Sequence, residues 1–179
     1  MSEIITTFVG LDVHKESIAI AVAATGREKP QFVGKVGATV KELLKTLSHL
    51  GKREQMLLAY EAGPSGYVLV RELRAKGYHC EVVAPTKIPR RSGERIKTDR
   101  RDAVALAHFA RAGDLSLVTV PDEADEAMRD LSRAREDALR ARMTARHQLK
   151  AMLLRHGRHY AGQGRLDAGS RETPVQGEL

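Results

Sequence analysis

The sequence predicts an α/β fold: a mixed five-stranded sheet with flanking helices, followed by a long helical arm. Three observations predict it. Three β-prone runs follow one another near the start of the chain, two helix–strand pairs with crossover spacing come next, and a charged helical pattern runs from residue 121 to about residue 158. Each element has its own local reason.

Residues 4–12 are β-branched and apolar, and residues 17–24 form a second β-prone run of alternating character. The short polar link His14-Lys15-Glu16 makes the pair a hairpin. Gly26-Arg27-Glu28-Lys29-Pro30 marks the next turn, and residues 31–36 supply a third strand. Thr39 opens a helix in which Val40, Leu43, Leu44, Leu47 and Leu50 recur at helical spacing, and Gly51 closes it. Residues 56–60 are a short buried strand that ends at Glu61. The turn Gly63-Pro64-Ser65-Gly66 leads into a helix over 67–76, stopped by Gly77, and residues 79–83 form a fifth strand before Pro85. Helical crossovers force parallel pairing of neighbouring strands and are right-handed almost without exception. The first and fourth strands therefore lie side by side, and ligands collect at the carboxyl ends of such strands.

Residues 88–97 form a basic loop containing proline and glycine. A helix over 98–112 follows, with Ala103, Leu106, Ala107 and Ala110 on its apolar face, then an extended stretch from Gly113 to Val120. Pro121 starts the long helix. Its first turns hold Asp122, Glu123, Asp125 and Glu126, and its later turns hold Arg140, Arg142, Arg146, Lys150 and Arg155, a gradient that suits the helix dipole. Its apolar stripe (Ala124, Met128, Leu131, Ala138, Ala145, Leu149, Met152) is thin and broken by Arg135 and Arg142, so the helix needs a partner helix or RNA. Residues 161–179 are glycine-rich and polar without periodicity, which predicts disorder. The expected organisation is a catalytic domain over 1–118, a helical arm over 119–160 and a tail over 161–179.

Composition narrows the class. Apolar residues make up 42% of the 179, enough for a core. No apolar run approaches a membrane span, and the N-terminus lacks a signal-peptide layout, so a cytosolic protein is expected. Cys80 is the single cysteine, and no Cys/His cluster has zinc spacing. With 30 Lys+Arg against 23 Asp+Glu the net charge is +7, which favours a polyanionic partner.

The carboxylates carry the chemistry. Asp12 and Glu61 fall at the ends of neighbouring parallel strands, where a charge at the core boundary needs a partner. Asp99 and Asp102, three apart, share one helix face. Four acids on one edge repel one another unless a cation neutralises them. Oxygen donors without sulfur point to Mg²⁺ or Mn²⁺, which activate an attacking oxygen and stabilise the leaving one at a phosphodiester. Taken singly, each acid has an ordinary reading. Asp12 and Glu61 can cap turns, and Asp99 and Asp102 can be an N-cap and its capping-box partner.

Gly10-Leu11-Asp12-Val13-His14-Lys15, Glu61-Ala62-Gly63-Pro64-Ser65-Gly66-Tyr67 and Lys97-Thr98-Asp99-Arg100-Arg101-Asp102-Ala103 together resemble the N-terminal domain of DEDD-type insertion-sequence transposases, the family numbered one-ten. The likeness runs from about residue 7 to about residue 160, and the third block is its most specific part. It implies a RuvC-like fold of the ribonuclease H-like group, with Asp12, Glu61, Asp99 and Asp102 as the metal-binding tetrad. It also implies DNA recombination, guided in some members by a structured, element-encoded bridge RNA, and homo-oligomers assembled through a coiled coil at the long helix. The setting it implies is the prokaryotic cytoplasm, at the nucleoid. Family members continue into a domain whose serine attacks DNA. Ser170 does not match that nucleophile, so a truncated chain with an aberrant end after residue 160 is expected.

Arg90, Arg91, Arg95, Lys97, Arg100 and Arg101 flank the acids, and Lys15 lies in the hairpin turn. With Arg142, Arg146 and Lys150 of the arm they are the candidate nucleic-acid contacts, against the alternative of a solvated charge run. His14 and His108 are candidates for proton transfer, with packing the more ordinary role for His108. Cys80 reads as a small buried apolar residue. Three other functions stay open: a stand-alone resolvase using water, a non-catalytic nucleic-acid-binding remnant, and an actin-like ATPase. The last also opens on Gly-Leu-Asp but needs a second phosphate loop, which is missing.

Overall fold

The structure, a computed structural model, describes residues 4–85 and 98–159. The chain divides between Val120 and Pro121 into two units.

The first unit is an α/β domain built on a five-stranded mixed sheet. Strands β1 (Thr7–Val13), β2 (Ser17–Ala24) and β3 (Gln31–Gly37) form an antiparallel meander. Strands β4 (Met56–Glu61) and β5 (His79–Val83) extend it in parallel, giving the order β3-β2-β1-β4-β5. This is the mixed five-stranded sheet that the sequence predicts, with β1 and β4 adjacent and pointing the same way.

Side-chain size sorts the two faces of the sheet. Val9, Leu11, Ile18, Ile20, Leu58 and Tyr60 face helices α1 (Val40–Leu47) and α2 (Val68–Ala75), forming the main core with Leu43, Leu47, Leu69, Val70 and Leu73. The residues between them, Ala19, Ala21, Ala23 and Ala59, face helix α3 (Asp99–Ala112) and meet its Ala103, Leu106, Ala107 and Ala110. A strand alternates its side chains with period two, so a run such as Ser17–Ala24 can present isoleucine to one face and alanine to the other. The small face lets α3 lie directly on the sheet.

Local details depart from the sequence reading at element ends. Residues 4–6 precede β1, and Ile4 is 79% exposed. Helix α1 stops at Leu47, with Thr39 as its cap; Leu50 lies beyond the helix yet packs on the core, which is why its spacing looked helical. A 3₁₀ turn at Arg53–Gln55, unforeseen, precedes β4. Helix α3 ends at Gly113, whose φ of 71° is the left-handed value a helix stop favours. The extended segment after it bridges β5 through Val83 and Leu117.

The second unit contains helix α4 (Glu123–Arg155), 33 residues capped by Asp122, which accepts from the Asp125 amide at 2.7 Å. It buries none of its residues, and Met128, Leu131, Met143, Leu149, Met152 and Leu154 are exposed. The tail after residue 159 lies outside the described residues, as does Ser170.

Candidate metal and nucleic-acid site

The site sits at the carboxyl edge of the central strands, on the side that carries α3. Leu11 of β1 pairs with Tyr60 of β4, so the next residue of each strand, Asp12 and Glu61, ends up at that edge on adjacent strands. Both belong to the face opposite Leu11 and Tyr60, which are fully buried against α1 and α2. Asp12 is the only buried charged residue among the described ones, 8% exposed.

Helix α3 brings the other two acids. Gly10, two residues before Asp12 on the same face, lies against the backbone of Ala103 and Ala107. The N-terminal turn of α3, with Asp99 and Asp102, therefore lies beside Asp12. Thr98, not Asp99, caps this helix: its hydroxyl accepts from the Arg101 amide at 3.4 Å. That cap leaves the Asp99 carboxylate for the site. Asp102 lies one residue beyond the capping-box position, and its Oδ2 is sealed from solvent.

The closest set combines strand, hairpin turn and helix. His14 Nε2 lies 3.0 Å from Asp12 Oδ2 and 3.4 Å from Asp99 Oδ1. The amide of His14 donates to the Ser17 carbonyl at 2.9 Å, which closes the hairpin and fixes where the imidazole stands. One donor atom each from Asp12, His14 and Asp99 fall within 4.8 Å of one another, a set that could hold a metal ion. Glu61 is outside that trio. It shares with Asp12, His14 and Lys15 an open groove of about 930 Å³, walled further by Thr39, Lys41 and Pro64. Asp12 and Asp99 thus come together around His14, Asp12 and Glu61 share the groove, and Asp102 follows Asp99 by three residues on α3.

A lysine absent from the sequence reading completes the set. The ammonium of Lys35 on β3 pairs with Asp99 Oδ2, while Asp99 Oδ1 faces His14. The Lys35 hydrogen bond holds the Asp99 carboxyl below the usual carboxylate range, against a smaller opposing effect of desolvation and with help from the charges of Lys35 and His14.

The candidate nucleic-acid contacts divide. Lys15 is exposed on the hairpin and lines the groove. Arg100 is exposed, with its guanidinium 5.5 Å from the centre of the Phe32 ring, which ties it to β3. Arg101 is exposed on the first turn of α3. Arg90, Arg91, Arg95 and Lys97 lie outside the described residues. On α4, Arg142, Arg146 and Lys150 recur four apart and so share one face of that helix. His108 is exposed and meets the Phe109 ring edge-on at 5.2 Å. No described helix is long and apolar enough to cross a membrane.

A family model described as a transposase, of the DEDD type named for the element IS110, matches residues 9–157. The chain is 48% identical over 158 residues to a Sinorhizobium fredii (strain NGR234) protein named as transposase y4qE, covering 87% of this chain and 40% of that protein. It is 39% identical over 153 residues to the transposase for insertion sequence element IS1533 of Leptospira borgpetersenii, covering 83% of this chain and 43% of that one. The chain thus spans about two fifths of the length of these relatives. Among solved structures it is similar to Thermus thermophilus RuvC, with 13% identity, a TM-score of 0.42, and coverage of 63% of this chain and 99% of that one. The same protein in complex with a Holliday junction substrate gives 14% identity and a TM-score of 0.38, with the same coverage.

Proposed function

This chain belongs to the DEDD transposase family of the IS110 type, and from that premise we propose that it forms the metal-dependent DNA-cleaving centre of an insertion-sequence recombinase. The observation that carries the proposal is the convergence of Asp12 and Asp99, from elements far apart in sequence, with His14, so that one donor atom of each lies within 4.8 Å of the others.

The donor set fits a hard divalent cation: carboxylate oxygens with one imidazole and no sulfur. Asp12, Glu61, Asp99 and Asp102 would hold Mg²⁺ or Mn²⁺, which when bound supplies Lewis-acid polarisation of a phosphodiester. The chain's own groups do the rest. Lys15 and the exposed arginines of the α3 turn attract the phosphates, a contact that fixes the strand without reading its sequence. His14, whose Nε2–H donates to Asp12 Oδ2, is placed to hold a proton beside the reacting phosphate. The buried position of Asp12 keeps its carboxylate fixed as the strand arrives.

The reading extends to the arrangement of the chain. Residues 1–118 serve as the catalytic domain and 119–160 as an arm that assembles homo-oligomers and binds a structured guide RNA through the basic face of Arg142, Arg146 and Lys150. Transposition, for which the longer relatives are named, would take DNA as substrate and put the protein at the nucleoid. The test is Mn²⁺ binding by this chain and metal-dependent cleavage of element-end DNA by a complete protein carrying it, with Asp12→Asn as control. The expected result is binding and cleavage that are both lost in Asp12→Asn, with circular dichroism unchanged; cleavage of branched DNA by this chain alone favours a stand-alone resolvase instead. Equal Mn²⁺ binding by the variant and the wild type overturns the assignment.

A further inference from the structure

Lys35 reaches the acidic centre because it pairs with Ala19, whose side chain faces α3, just after a bulge in β3. Ala19 pairs with Lys35 and Ile20 with Gly34, but Ala21 pairs with Phe32, so Val33 is the extra residue. Strict alternation would put Phe32 and Lys35, three apart, on opposite faces. The bulge instead sets both beneath α3: Phe32 packs with Ala19, Ala21 and Ala103, and Lys35 pairs with Asp99. Gly34, at φ 153°, supplies the backbone conformation the bulge needs. The register of β3 on β2 thus delivers a cation to a cluster whose chemistry calls for one, and the bulge keeps Phe32 on the same face. The Lys35 side chain is half exposed, so nothing locks it there.

We propose that Lys35 is a built-in counter-ion of this centre, holding Asp99 through Oδ2 and opposing the entry of a divalent cation at the Asp12–His14–Asp99 set. The inference rests on the metal-binding reading above. Two effects of removing Lys35 compete. Its ammonium steadies Asp99, but an ion pair this exposed restrains a carboxylate only weakly, a few-fold at most in affinity. Its charge also repels a doubly charged ion across a few ångströms, and even in a solvent-like dielectric that repulsion is the larger effect, about tenfold or more. Loss of repulsion therefore wins. Lys35 keeps the affinity for a free divalent ion low, and the carboxylates do not collapse or repel before the ion arrives.

The experiment is Mn²⁺ titration of the full chain, read by the electron paramagnetic resonance signal of free Mn²⁺, for wild type, Lys35→Gln, Lys35→Arg and Asp12→Asn. Circular dichroism checks that each is folded. Lys35→Gln is expected to bind Mn²⁺ about tenfold more tightly, while Lys35→Arg, which keeps the charge, stays near wild type. If the wild type binds Mn²⁺ and Asp12→Asn does not, but Lys35→Gln binds no more tightly than wild type, the counter-ion role is overturned and the metal centre stands. If neither wild type nor Lys35→Gln binds Mn²⁺, the metal centre itself is overturned, and this role falls with it.

Discussion

Gly10 of β1 lies so close to Ala103 of α3 that no side chain fits between them: a Cβ on Gly10 would overlap the Ala103 carbonyl oxygen and come within 2.5 Å of the Ala107 nitrogen. The contact is backbone against backbone, two residues from Asp12 and one residue from Asp102. It is what sets the acid-bearing end of the helix at the acid-bearing end of the strand.

Gly10→Ala should therefore damage stability and site together. Overpacking a core usually costs about 1–3 kcal/mol. Here the atoms in the way are main chain and cannot rotate aside, so the upper part of that range is expected. Urea unfolding measures it. Because Asp99 and Asp102 travel with α3, Mn²⁺ affinity should fall as well, and a variant with full stability and full affinity would show that α3 is not seated by this contact.

Gly34→Val tests the bulge in the same spirit. Valine at a positive φ costs about 1–3 kcal/mol of strain, and Val33 already stands 39% exposed as the extra residue. The more telling outcome is non-additivity. If Gly34→Val displaces Lys35 from Asp99, adding Lys35→Gln should change the unfolding midpoint hardly at all in that background, although it lowers it in the wild type. Deletion of Val33, which leaves Lys35 opposite Ala19, should keep the pair intact.

What could be read from the sequence follows from periodicity. The meander, the two crossovers and hence the neighbouring ends of β1 and β4 are legible because short polar links and helical repeats dictate them, and Asp12 and Glu61 can be placed by counting. The acidic pair on α3 is legible as a helix face, but its cap is not: Thr98 and Asp99 are both good caps, and only the chain's path chooses Thr98. Lys35 is hidden for a physical reason. A bulge reverses the phase of a strand, and in Gln-Phe-Val-Gly-Lys-Val-Gly the only signal for one is the interior Gly34. His14 was visible as a candidate for proton transfer, yet its place between two carboxylates depends on how the hairpin meets α3.

Asp99 gives a pH signature. Its carboxyl titrates below the ordinary range chiefly because of the Lys35 hydrogen bond. A carboxylate with a folded pKa below its unfolded one stabilises the fold above the unfolded value, near 4, and loses that contribution as pH falls through the depressed value. The melting temperature of the wild type should exceed that of Asp99→Asn at pH 6 in chelator, with the gap closing as pH drops below about 4. A gap that widens in acid would mean that the carboxylate is a liability to the fold.

Cys80 offers a readout of the sheet itself. It lies on β5 at 1% exposure, between α2 and the strand register Leu58–Cys80, and burial pushes its thiol up to about 12. Burial disfavours the thiolate, which is the reactive form, so the folded chain at pH 8 presents neither the charge nor the access that a disulfide reagent needs. Labelling of the native protein should therefore be slow and should proceed only through opening of the sheet, with full reaction of one thiol per chain once urea unfolds it. Across a urea series the labelling rate should track the unfolding equilibrium, and Gly10→Ala should accelerate it at fixed urea because that variant raises the open fraction. Fast labelling without denaturant, unaffected by Gly10→Ala, would mean that β5 opens locally and that the α2 face of the sheet is far less tightly held than its buried leucines and valines imply.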